Sequence, residues 1–332
     1  MSGRLAVFLV LALITPPAHN PGQVTNEVSR DDGRVYVANQ RTGTVAMIDP
    51  ATNMVLAMVK VGEAPFGVAV APDQTRAYVS NVLSGTISVI DNATNAVVAT
   101  VPVGSAPFGI AVSPDGSRLY VATAGDNALF VVDTITNVVI GSVAVGTDPF
   151  GVAISPDGAR VYVASVLSNT VSVLDTSTNS IIATVGVPSS PFGLEVTPDG
   201  ARVYVAGQDQ RAPGTANGSV SVLDTATNTI VATISVEVDP RGVAVSADGT
   251  RVYVTNRLSH SLSVIDAAEN TVVTRVAVGS DPSAVVVSPD DARAYVTNLG
   301  SSSVSVIDTA NNAIVATVPI GAAHVLASRP FQ

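Results

Sequence analysis

The 332-residue chain is 47% hydrophobic and 13% charged, with a mean hydropathy of +0.43, yet it lacks the 18 or more consecutive apolar residues that a membrane-spanning helix needs. The absence of Cys excludes disulfides, thiolate metal sites and a Cys nucleophile, and three His (His19, His260, His324) offer little for a metal or haem site, so no cofactor is expected. A net charge of −10 repels phosphate backbones and disfavours nucleic acid unless a local basic patch opposes it.

The N-terminus reads as an export signal over residues 1–20. Arg4 supplies the positive region, Leu5 to Ile14 is a ten-residue apolar core, and Pro16 and Pro17 end any helix. Ten residues suit a signal core and are too few to cross a bilayer. The mature protein is then expected to be secreted, periplasmic or at the cell surface, without a membrane span.

From there to the C-terminus the chain repeats. Tyr36, Tyr78, Tyr120, Tyr162, Tyr204, Tyr253 and Tyr295 are separated by 42, 42, 42, 42, 49 and 42 residues. Asp49, Asp91, Asp133, Asp175, Asp224, Asp266 and Asp308 keep the same period. The extra seven residues fall between Tyr204 and Asp224, within 207–218. Seven 42-residue units fill residues 21–332 as one domain.

Each unit reads as four short strands. In the second copy these are Gly67–Ala71, Arg76–Ser80, Thr86–Asp91 and Ala96–Val103, separated by Pro-Asp and Asn-rich turns. Four strands at a period of 40 to 45 residues predict an all-β, seven-bladed β-propeller with four antiparallel strands per blade, expected as a monomer. The first blade is irregular. Register places Val24–Val28, with Asn26 and Glu27, in its innermost strand, while Val325–Arg329 competes for the same slot.

Tyr-Val-Thr-Asn occurs at Tyr253–Asn256 and Tyr295–Asn298, with Tyr-Val-Ala-Asn at Tyr36–Asn39 and Tyr-Val-Ser-Asn at Tyr78–Asn81. Ser-Pro-Asp-Gly precedes it at Ser113–Gly116 and Ser155–Gly158, and Pro-Phe-Gly recurs at the start of blades. By these motifs the chain resembles the YVTN-repeat β-propellers, exported or cell-surface proteins of bacteria and archaea. Seven-bladed relatives include lactonases, haem d1 domains and non-enzymatic binding proteins. The resemblance therefore implies a fold and a location, and leaves activity open.

Residues repeated in every blade are expected to serve architecture: Arg34, Arg76, Arg118, Arg160, Arg202, Arg251 and Arg293, each two before the Tyr, and the carboxylates of the turns. Departures from the repeat are the candidate site. Phe66, Phe108, Phe150 and Phe192 open four consecutive blades on one face, as packing between blades or as an apolar arc at the channel mouth. Arg241 and Ser283 then replace Phe, and Val325 falls in the last register. The same face carries Gln40 and Arg41, the insertion with Arg211, and Arg257 and His260. Arg41, Arg211, Arg241 and Arg257 form the expected basic patch. Glu27 and Glu195 share an inner-strand register that other blades fill with Ala or Val, a weak pair of channel carboxylates with no accompanying His. No Ser-His-Asp set or phosphate loop is present.

The leading expectation is a non-enzymatic propeller holding a protein or cell-envelope polymer through this face. The alternatives are a lactonase-like hydrolase using the channel carboxylates, and a binder of single-stranded nucleic acid through the Arg and Phe rim.

Overall fold

A computed structural model of the chain describes residues 28–31, 33–208 and 217–320. Seven four-stranded antiparallel sheets follow one another along the chain, each with its strands in sequence order. The protein is a seven-bladed β-propeller. In the second blade the strands are Pro65–Val70, Arg76–Asn81, Thr86–Asp91 and Ala96–Pro102. Three begin where the sequence places them, and the innermost begins two residues earlier.

The strand sequences follow from where each strand lies. Second and third strands are covered on both faces by neighbouring blades, so Tyr36, Val37, Val79, Val89 and Tyr162 are completely buried and the apolar runs are nearly continuous. Fourth strands lie at the circumference and alternate in exposure, as in Ala96–Pro102.

The Tyr-Val-Thr-Asn motif holds this arrangement together. Its Thr bridges consecutive blades: Thr255 Oγ1 accepts the Gly242 amide at 2.8 Å and donates to the Ser283 carbonyl at 3.0 Å. Ser80 does the same between the Gly67 amide (2.8 Å) and the Phe108 carbonyl (2.6 Å). The Asn braces the next loop, with Asn256 Nδ2 donating to Ser261 and Ser263 at 3.0 and 2.9 Å.

The repeated arginines are architectural as well. Arg76, Arg118 and Arg202 donate to backbone carbonyls of Thr134, Thr176 and Ala267 in the following blade at 2.7 to 2.9 Å. Arg160 reaches the Thr225 carbonyl in the same way. Arg251 departs, pairing with Asp266 of its own blade.

Blade one corrects the sequence register. Its innermost strand is Val28–Asp31 rather than Val24–Val28, and it places Ser29 opposite Tyr36. In the other blades Ala69, Ala111 and Glu195 face the corresponding Tyr. The position equivalent to Glu195 is thus Ser29, not Glu27. The cause is the turn: Asp31 pairs with Arg34 across two residues, where the second blade needs six between Val70 and Ala77. The N-terminal side of the chain fills this slot; Glu27 and Val325–Arg329 lie outside the described residues.

Candidate functional site

One face gathers the starts of the inner strands, the loops between second and third strands, and the linkers between blades. Its centre is aromatic. Phe66, Phe108 and Phe150 contact one another, with ring centroids 5.2, 5.0 and 4.8 Å apart, and Phe192 lies 5.3 Å from Phe150. Phe66 and Phe150 come from blades that are not neighbours, so the rings converge towards the axis. They form a plug, neither packed separately between blades nor lying open as an arc. Phe66, Phe108 and Phe192 are 3%, 8% and 8% exposed, which leaves these three no free ring face on which a base could stack.

The glycine after each Phe permits this convergence. A Cβ on Gly67 would sit 2.6 Å from the Phe108 carbonyl oxygen, and one on Gly109, Gly151 or Gly193 would strike the next blade's backbone likewise. Only residues without a side chain let the inner strands approach so closely.

Where blade five would be followed by a fifth Phe, Arg241 stands. Its guanidinium carbon lies 3.6 Å from the Phe192 ring centroid, a cation–π contact. Its Nε is 2.8 Å from Asp239 Oδ1, and Arg257 Nε is 2.7 Å from Asp239 Oδ2. Asp239 is wholly buried, while the two arginine side chains keep 21% and 25% exposure. Burial pushes the Arg241 guanidinium below its ordinary pKa, Asp239 opposes that shift, and Arg257 adds to it.

None of the other expected site residues among the described ones joins this cluster. Arg41 and His260 are exposed; His260 Nδ1 accepts the Asp281 amide at 3.1 Å, which fixes its ring in a loop. Arg211 lies outside the described residues, but the insertion leaves and rejoins the fold at the edge of this site. Gly218 donates to the Glu237 carbonyl at 2.9 Å, and a Cβ on it would collide with Pro240. Glu195 is exposed on its inner strand, whereas Ala69, Ala153 and Ala244 at the same register are buried. Among the described residues, no group of three or more His, Asp or Glu is arranged to hold a metal ion, and no helix is long and apolar enough to cross a membrane.

Three residues of this face escaped the sequence reading. Leu83, Leu167 and Leu258 occupy loop tips in the second, fourth and sixth blades and are 64%, 51% and 38% exposed. Each loop tip is hydrogen-bonded to the linker that precedes its blade. Leu83, Leu167 and Leu258 donate their amides to the carbonyls of Glu63, Thr147 and Val238 at 3.3, 3.2 and 3.3 Å. Val82 and Val166, the preceding residues, are buried. The recurring Leu-Ser at these loops was the available signal, since an apolar residue in a polar loop is otherwise unexplained.

A choice-of-anchor I domain family model matches residues 134–329, more than half of the chain. The chain belongs to this family. A second family model, YNCE-like β-propeller, matches residues 6–126, and with the seven blades it marks the choice-of-anchor chain as a YVTN-like propeller. Among solved structures, it is similar to a chain of Kuenenia stuttgartiensis hydrazine synthase. The two are 28% identical with a TM-score of 0.79, covering 87% of this chain and 96% of that one. Among curated proteins, PE-PGRS family protein PE_PGRS18 of Mycobacterium tuberculosis is 50% identical over 40 residues. That stretch is 12% of this chain and 9% of the relative, so the match spans less than a tenth of the relative's length.

Proposed function

We propose that this choice-of-anchor propeller is exported by residues 1–20 and binds a protein or cell-envelope polymer, without catalysis, through the face carrying the aromatic plug. The observation that carries the reading is the trio Leu83, Leu167 and Leu258. Exposed aliphatic side chains on hydrogen-bonded loop tips present apolar area whose burial is worth about 25 cal/mol per Å². Because the loops are already ordered, little of that is lost to immobilisation on binding. Arg41, Arg241, Arg257 and His260 add polar and charged groups on this face, and Arg211 of the insertion, outside the described residues, is assigned to the same binding role. The Phe66, Phe108, Phe150 and Phe192 plug contributes by giving the face a solid floor. The family description, with its reference to an anchor, supports a cell-surface or secreted location.

Photo-crosslinking tests this directly. A crosslinking residue at position 83 or 167 should yield a discrete adduct on intact cells, and one at position 135, on the opposite face, should not. Adducts of equal yield at all three positions, or none at 83 and 167, would refute a binding role for this face.

A further inference from the structure

Arg241, Arg257 and Asp239 form a cluster whose charges do not cancel. We propose that it is a binding site for a carboxylate group, presented by the partner of this face and taken by the outward edges of the two guanidinium groups. The proposal rests on the binding role argued above and names the chemistry of one contact within it.

Charge is the first argument. One carboxylate serves two guanidinium groups, so the cluster carries a net positive charge in a site that is largely withdrawn from water. An uncompensated buried charge is costly, and a monoanion cancels it. Among the described residues, the charges acting on Arg241 are those of Asp239 and Arg257. Glu237, the next carboxylate along the linker, is engaged by the Ser261 hydroxyl and lies 3.7 Å from Arg275.

Geometry is the second. Both arginines meet Asp239 through Nε, and Arg241 adds one Nη2 bond to it at 3.2 Å. A guanidinium has five N–H donors, so both groups keep terminal N–H donors. Neither is free to swing. Arg241 is clamped between Phe192 and Asp239, and Arg257 is held at Nε by the buried Asp239 carboxylate, whose own backbone carbonyl takes the Arg257 amide at 2.9 Å. A planar fork held in place matches a planar carboxylate in bidentate fashion. A phosphate dianion would instead leave an extra negative charge in the same partly dry site.

The test uses the purified full-length chain and sodium benzoate, with phosphate and chloride at matched ionic strength. Benzoate should raise the melting midpoint with dose and shift the Nε–H resonances of Arg241 and Arg257. Arg257→Gln, which leaves a neutral Arg241–Asp239 pair, should weaken benzoate binding at least tenfold, while Arg275→Gln leaves it unchanged. Should Arg257→Gln fail to fold, Arg257→Lys keeps the charge without the fork and should weaken binding several-fold. Benzoate acting no better than chloride, phosphate binding more tightly than benzoate, or unaltered binding by the Arg257 variants would overturn the proposal. Because the ligand is a small molecule, such a failure would leave the crosslinking result at Leu83 and Leu167 standing.

Discussion

Asn39 Nδ2 donates to the carbonyl oxygen of Ile320 at 2.8 Å, joining the first blade to the end of the last across 281 residues of sequence. Around that bond Val35, Val37, Ala46 and Ile48 of blade one pack with Tyr295, Val304, Val306, Val318 and Ile320. Among the described residues, this bond and that packing join the two ends of the ring, while each four-stranded sheet is made from consecutive chain.

Asn39→Ala should therefore weaken ring closure. It strands a buried carbonyl, at a cost of about 1–3 kcal/mol. Urea denaturation should show a lower midpoint with the slope unchanged. A midpoint equal to wild type would mean that this bond adds nothing to ring closure.

The aromatic plug makes Phe108 a stability residue. Phe108→Ala removes the stacked contact with Phe150 and the edge contact with Phe66, opening a cavity that costs about 3–5 kcal/mol. Phe108→Leu should cost clearly less. The comparison is made by chemical denaturation.

Two glycines should behave oppositely. Gly67→Ala drives a methyl to 2.6 Å from the Phe108 carbonyl oxygen and must push two inner strands apart, so a marked loss of thermal stability is expected. Gly141→Ala meets nothing within 4 Å. It should be neutral or slightly stabilising, because alanine loses less backbone entropy on folding. Paired melting curves decide it.

Acid should destabilise the protein in a defined window. Asp115 is held down from 3.8 to about 2, first by the Ser113 hydroxyl and then by the Ser117 amide and hydroxyl. Asp49, Asp91, Asp133, Asp175 and Asp224 are lowered by hydrogen bonds within their own turns. Carboxyls lowered in the folded state contribute stability that is present above the unfolded value and lost as pH falls through the folded one. Urea midpoints should thus be flat from pH 7 to about 5 and fall between about 4 and 2. Asp115→Asn should reduce that fall.

Much of this molecule was legible in its letters. The spacing of Tyr36, Tyr78 and their equivalents determined blade number and strand order, because each 42-residue unit folds by local pairing that its own turns direct. The repeat also separated Arg76 or Asp91, explained by architecture, from Arg241, which breaks the pattern. The first blade was misregistered because its turn is shorter than the others, a change in loop length that the period of the later blades conceals.

Only the tertiary structure decided what the departures from the repeat do together. Phe66 and Phe150 are 84 residues apart in sequence, and their contact depends on how sharply seven sheets curve around the axis. That Asp239 is buried between two arginines, and that Leu83, Leu167 and Leu258 stand exposed while Val82 and Val166 turn inward, depends on the packing of loops against neighbouring blades. A repeating sequence fixes the local geometry of each unit, whereas the chemistry of the face arises from contacts between units.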